Sequence, residues 1–311
     1  MHIVTPSFLI PGDTIGIAST ARWVSPEQLQ PALDLFHSWG LKTVVAKHTH
    51  EKHFQLAGND QQRTADLQAM LDDPQIKAII IARGGYGTVR VIDQLDFTKF
   101  LEAPKWICGY SDITVLHAHI NGVFNMSTIH STMPISFPHA TDLAIENLKQ
   151  ALFGSLSTIT LEEKTNALDQ KMVGRIFGGN LSVLFSLIAS DSLELEKADF
   201  LFIEDVDEMT YHLDRMMMAM LRAGLLQNLK AIIVGGMTQM KDNTKEFGFE
   251  LDNPWGMTAY EVIEDVASKA GIPVFFGFPA GHQNDNRAFY LGGNVELACT
   301  GGTVSIDFKR T

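Results

Sequence analysis

The chain is poor in cysteine. Cys108 and Cys299 are the two cysteines in 311 residues, so a disulfide framework is excluded by count and nothing points to an oxidising compartment. Both lie in apolar, strand-like runs and read as buried free thiols. Positive charge is also scarce, with 24 Lys and Arg against 36 Asp and Glu and a formal net charge of -12. So acidic a chain argues against nucleic acid as a main partner, because neutralising phosphates takes basic patches. Long apolar runs are missing as well, and nothing approaches the roughly 20 apolar residues of a membrane span. Met1 to Gly12 carries only the short apolar stretch Phe8-Leu9-Ile10 with no basic lead-in, which does not read as a secretory signal. The expectation is a cytoplasmic protein with neither a membrane nor a nucleic-acid partner.

What is present fits a globular enzyme. Hydrophobic residues make up 45% and charged residues 19%, and the length suits two domains. The first half alternates strand and helix. Strands are expected at Thr14 to Ala18, Lys42 to Ala46, Lys77 to Ala82 and Lys105 to Cys108. Helices are expected from Ser25-Pro26 to about Gly40, at Asp60 to Leu71 with an Asp cap, at Thr88 to Leu95 and at Asp112 to Ile120. Ser25, Pro26 and Gln28 have the spacing of a capped helix start. This β-α-β-α rhythm implies an α/β fold with a parallel sheet covered on both faces.

The stretch 151–171, with Glu162-Glu163-Lys164-Thr165-Asn166 inside it, is more polar and reads as a linker between domains spanning 1–150 and 172–311. Beyond it come strands at Val173 to Asn180, Phe200 to Ile203 and Ala231 to Val234, and helices at about Tyr211 to Leu226 and Thr258 to Ala270. The Gly-punctuated tail, Ala288 to Phe308, alternates apolar residues as antiparallel hairpins do. The methionines Met216, Met217, Met218 and Met220 read as helix core filler.

Four local features can carry chemistry. In Cys108-Gly109-Tyr110-Ser111-Asp112-Ile113-Thr114 an apolar strand ends, Gly109 permits a turn and a helix begins. A serine there is exposed at the carboxyl end of the sheet, beside backbone N–H groups able to hold an oxyanion. The alternative is that Ser111 is a helix N-cap. Arg83-Gly84-Gly85-Tyr86-Gly87 follows the third strand. It reads as a phosphate loop, as an oxyanion loop facing Ser111, or as a plain turn, and it lacks both the G-x-G-x-x-G spacing and a Walker lysine. Leu201-Phe202-Ile203-Glu204-Asp205-Val206 ends a strand in a carboxylate that can orient a histidine, or is a solvated acidic loop. Gly277-Phe278-Pro279-Ala280-Gly281-His282 places one of 11 histidines in a Gly/Pro-rich loop. His117, His119 and His130 lie nearer to Ser111 in sequence. His117 and His119 fall on different faces of their helix.

Taken together, RGGYG, GYSDIT, GGN, LFIEDV and GFPAGH, in this order, resemble the LD-carboxypeptidase family of serine peptidases, which also includes microcin-immunity peptidases. The resemblance spans nearly the whole chain, from Pro11-Gly12-Asp13 to the final hairpins. It implies a Rossmann-like N-terminal domain, a smaller β-rich C-terminal domain with the site between them, and commonly a homodimer. It makes Ser111 the nucleophile, His282 the general base and Glu204 the orienting acid, with Glu208 as a competing acid. The oxyanion donors are then the N–H groups of Gly85 and Asp112. No metal or cofactor is implied. The family's usual reaction removes the terminal D-alanine of a muropeptide tetrapeptide in peptidoglycan recycling. Arg83 or helix N-termini would then receive the terminal carboxylate. The immunity branch cleaves peptidyl-nucleotides, for which Trp255 is the candidate base platform. Short loops favour the cell-wall reaction. A ligand-binding protein without catalysis and a nucleotide-dependent enzyme using the Gly84–Gly87 loop are the readings from other classes.

Overall fold

The computed structural model describes residues 3–161 and 169–308. The first region contains β1 (Thr14–Ala18), α1 (Pro26–Ser38), β2 (Lys42–Val45), a small hairpin of β3 (Lys52–His53) and β4 (Leu56–Ala57), and α2 (Asp60–Asp72). It continues through β5 (Ile76–Ile81), α3 (Thr98–Glu102), β6 (Trp106–Gly109), α4 (Thr114–Val123), β7 (Thr128–His130) and α5 (Asp142–Leu152). The first region ends with β8 (Ile159–Thr160), and the second contains β9 (Gln170–Asn180), α6 (Leu181–Ser186), β10 (Phe200–Val206), α7 (Thr210–Arg222) and β11 (Ala231–Thr238). After these come α8 (Ala259–Ala270), β12 (Val274–Phe275), β13 (Phe289–Leu291), β14 (Asn294–Thr300) and β15 (Thr303–Phe308).

The first sheet has the order β13-β7-β6-β5-β1-β2 and is parallel from β7 to β2. The second has the order β12-β11-β10-β9-β14-β15-β8, parallel from β12 to β9 and antiparallel beyond. The α/β class and the mixed second sheet agree with the sequence reading. β13 departs from the simple division, because its residues pair antiparallel with β7 in the first sheet. Phe289 is fully buried there, stacked on His130 and edge-on to Phe202. Of the polar stretch 151–171, α5 still occupies Ala151 and Leu152, β8 joins the second sheet, and β9 begins at Gln170. Glu162 to Asn166 lie outside the described residues.

Strand periodicity sorts the core. Ile79, Ile81, Leu201 and Ile203 share one buried cluster, while Ala78, Ile80, Phe200 and Phe202 share another. Alternate residues point to opposite faces, so each core runs continuously across both sheets and locks them together.

Local differences have local causes. α2 is capped by Asn59 with a Gln62 capping box, so the cap is one residue before Asp60. The helix expected over Thr88 to Leu95 is a pair of 3₁₀ turns, Thr88–Arg90 and Ile92–Gln94. The Thr88 N–H is taken by the Asp112 carboxylate, which anchors the chain at the first turn. A short 3₁₀ turn, Ser111–Ile113, precedes α4. β10 runs on to Val206, so Glu204 lies inside a strand rather than after it. Among the described residues no helix is long and apolar enough to cross a membrane.

Candidate active site

β5 and β6 are hydrogen-bonded neighbours, so the glycine loop after one and the serine turn after the other emerge side by side. Ser111 has φ +63, a left-handed conformation that costs a non-glycine residue of order 1–3 kcal/mol. The N-cap contact of the alternative reading is not made. Instead the Ser111 Oγ lies 3.1 Å from His282 Nε2. His282 Nδ1 lies 2.7 Å from Glu204 Oε2, which also accepts the His282 backbone N–H at 3.2 Å. A carboxylate can only accept, so Nδ1 carries the proton and Nε2 is left to accept from serine. Glu204 has no exposed surface, and its charge strengthens this bond in the dry interior. Glu208 pairs with His212 instead, which removes it as the acid.

The loop bearing His282 is fixed from several sides. It passes a bulge, where β10 and β11 slip register across Glu204 and leave Gly235 and Gly236 opposite it. The Gly236 N–H donates to Ala280 O at 2.9 Å, and Thr238 Oγ1 donates to His282 O at 3.0 Å. Asn286 Oδ1 accepts the Gly281 N–H at 2.9 Å and lies 3.1 Å from His130 Nε2. Gly281 itself has φ +115, and a Cβ there would meet Glu204 at 2.8 Å. The Tyr110 ring lies beside the His282 imidazole, 4.9 Å between centroids.

The oxyanion side is built by Asp112. Its buried carboxylate takes both the N–H and the hydroxyl of Thr88, tying the end of the glycine loop to the residue after Ser111. Gly85 is exposed, with φ +127, and among the described residues its N–H has no hydrogen-bond partner. A cavity of about 380 Å³ joins Ser111, His282, Gly84, Gly85, Arg22 and Arg83.

Comparison with known proteins gives this arrangement its family. The family models for the LD-carboxypeptidase N-terminal and C-terminal domains match residues 15–131 and 173–297. The chain belongs to the LD-carboxypeptidase family. It is a serine-type carboxypeptidase. A probable murein peptide carboxypeptidase of Bacillus subtilis is 32% identical over 97% of this chain and 94% of that one. The murein tetrapeptide carboxypeptidase of Pseudomonas aeruginosa is 26% identical over 91% of this chain and 92% of that one. The fold matches a muramoyltetrapeptide carboxypeptidase from Oxalobacter formigenes, with a TM-score of 0.83 at 23% identity over 96% and 99% of the two chains. It also matches MccF in complex with glutamyl sulfamoyl guanosine, with a TM-score of 0.84 at 24% identity over 98% of each chain.

Within this LD-carboxypeptidase the other histidines near Ser111 serve the frame. His117 is fully buried, bonded to Gly109 O at 2.9 Å and Thr128 Oγ1 at 2.8 Å, and His130 lies under the His282 loop. Asn180, of the GGN motif, donates its N–H to Thr114 Oγ1 and its side-chain amide to Asp205, joining β9 to the start of α4 and to β10. Burial and the neighbouring Glu204 push the Asp205 carboxyl up to about 7. The Gly235–Gly236 bulge, Asn286 and Arg22 were not singled out by sequence. The only local signal among them is the glycine pair closing an apolar strand. Trp255 is exposed on the loop before α8, and it does not line the Ser111 cavity. Among the described residues no cluster of three or more His, Cys, Asp or Glu side chains is placed to hold a metal ion.

Proposed function

We propose that the protein hydrolyses the terminal D-alanine from muropeptide tetrapeptides, with Ser111 as nucleophile. The observation that carries the reading is the continuous chain from Ser111 Oγ through His282 to Glu204, spaced at 3.1 and 2.7 Å. Such a chain lets the imidazole take the serine proton as Oγ attacks the scissile carbonyl, while the carboxylate stabilises the imidazolium. The N–H groups of Gly85 and Asp112 receive the oxyanion. Protonated His282 then gives its proton to the departing amine, and water releases the acyl group. The nucleophile lies in the domain proposed for 1–150 and its partners in the one proposed for 172–311, so activity requires both to be docked. The murein carboxypeptidases of B. subtilis and P. aeruginosa support the substrate. A homodimer working in the cytoplasm completes the proposal.

The test is D-alanine release from L-Ala-γ-D-Glu-(diaminopimelate or Lys)-D-Ala by wild type and Ser111→Ala. Release lost in the folded variant supports the reading, and release by both overturns the assignment of Ser111. No release by wild type turns the assignment to the second reading, cleavage of peptidyl- or aminoacyl-nucleotides. That reading is favoured by the MccF complex of the same fold, and not by Trp255, which lies away from the Ser111 cavity.

A further inference from the structure

The cleft around Ser111 has two lobes that share Tyr110, Ile135, Ser136, Val206 and His282. One, of about 300 Å³, presents Thr132, His139, Gln239, Gln283 and Asn284. The other passes over Gly84 and Gly85 to Arg22 and Arg83. Arg22 is seated directly on the oxyanion loop. Its backbone N–H donates to Gly84 O at 3.4 Å. Its Cγ, Cδ and Nε fill the space a Cβ on Gly85 would need, at 2.7, 2.8 and 2.9 Å. The guanidinium therefore leaves from beside the glycine whose N–H is free.

Arg83 follows β5, and its Nη1 makes one long bond, 3.4 Å, to Trp23 O. Among the described residues neither guanidinium has a carboxylate partner. Asp207, which lines the same lobe, is paired with Lys241. Burial and the like charge of Arg22 both hold the Arg83 pKa below its ordinary value. In a chain of net charge -12, two arginines facing each other beside the nucleophile without a counter-ion gain nothing for the fold. An incoming carboxylate relieves their repulsion.

We propose that Arg22 and Arg83 together receive the terminal carboxylate of the substrate, and that Arg22 sets the requirement for a free C-terminus. In a C-terminal residue that carboxylate sits two bonds beyond the scissile nitrogen, within about 4 Å of the attacked carbon. It must then lie beside the oxyanion donors, where Arg22 is. The fork of a guanidinium fits a carboxylate through paired N–H bonds. The uncharged lobe is left for the acyl-side peptide. This inference rests on the peptide reading and deepens it.

The test measures binding to the Ser111→Ala protein by calorimetry, using L-Ala-γ-D-Glu-L-Lys-D-Ala and its C-terminal amide. The free acid is expected to bind more tightly. Arg22→Gln in that background weakens the acid about 10- to 100-fold, leaves the amide nearly unchanged and erases the preference. Arg22→Lys restores part of it, and Arg83→Gln, with its melting curve recorded alongside, gives the second measure. An acid preference that survives Arg22→Gln, or one absent from the parent, overturns the proposal. If active enzyme releases D-alanine while the preference ignores Arg22, the inference fails and the peptide reading stands. If nothing is released but the preference depends on Arg22, the peptide reading fails and the carboxylate site stands.

Discussion

The carboxylate of Asp112 grips Thr88 across the cleft floor, accepting its N–H at 2.9 Å and its hydroxyl at 2.6 Å. One proposed oxyanion donor, Gly85, lies on the loop leading to Thr88, and the other is the N–H of Asp112 itself. The contact therefore sets the spacing between the two donors. Asp112→Ala is expected to lower kcat about 10²–10³-fold, as loss of one aligned donor does. Asp112→Asn keeps an oxygen able to accept from Thr88 and should lose far less. Steady-state kinetics of both variants on the tetrapeptide checks this. Equal losses in the two would show that the negative charge matters and not the clamp.

The pH dependence follows from the surroundings of His282. Burial disfavours its protonated form, but the charge and hydrogen bond of Glu204, with the charge of Asp205 behind, outweigh burial and leave its pKa above 6.5. The general base is the neutral imidazole, so kcat/KM should rise through that pKa and be lost as pH falls through it. Glu204→Gln removes the charge that raises the pKa. Its acid limb moves to lower pH, and its rate falls on the order of 10³–10⁴-fold, as when a triad histidine loses its orienting charge. A pH–rate profile whose acid limb stays in place in Glu204→Gln would sink the assignment of that limb to His282.

How much of this site is written locally differs from residue to residue. Ser111 is legible because a strand-to-helix turn after glycine leaves a short signature. Glu204 and His282 are 78 and 171 residues from the groups they meet, and only the resemblance to a family brings them together on paper. The Gly235–Gly236 bulge is invisible beforehand because a bulge exists only against the register of a partner strand. Arg22 is hidden for the same reason, since its place over Gly85 comes from packing between separate loops. In the fold, β1, β2, β5 and β6 read correctly from their apolar runs, whereas β7 is not foreseen and β13 joins it in the first sheet instead of staying with the C-terminal hairpins. The helix expected over Thr88 to Leu95 is instead two 3₁₀ turns, Thr88–Arg90 and Ile92–Gln94, a difference that local propensity does not signal.

Gly281 is where the His282 loop passes closest to the acid. With φ +115 and a Cβ path that ends 2.8 Å from Glu204, Gly281→Ala strains the backbone and displaces the buried carboxylate together. A loss of about 1–3 kcal/mol in stability is expected from the conformation alone. Where the variant still folds, its acid limb should shift in the same direction as that of Glu204→Gln, because the same bond is disturbed. Chemical denaturation and the pH profile measured on one preparation separate the two effects. A variant with wild-type stability and kinetics would show that the loop relaxes freely and that its geometry is not the constraint.

Acid stability should be governed in part by His117. This ring is fully buried, with Nε2–H donating to Gly109 O and Nδ1 accepting from the Thr128 hydroxyl, so its neutral form is satisfied and its charged form is not. Burial lowers its pKa from 6.5 to about 4. The unfolded chain then binds the proton more readily than the folded one. Stability is whole above pH 6.5 and drains away as pH falls towards 4, by about 3 kcal/mol if the full shift is expressed. His130, also pushed well down by burial, adds to the loss in the same direction. Urea unfolding of wild type and His117→Gln at pH 7 and at pH 4.5 tests this, with the variant expected to lose less between the two. An identical loss in both would place the acid sensitivity elsewhere. Because Gly109 leads directly into the Ser111 turn, protonating His117 also loosens the backbone beneath the nucleophile. Fluorophosphonate labelling of Ser111 falls first as His282 is protonated, so the effect of His117 is read as the further loss of label that wild type shows below that limb and His117→Gln does not.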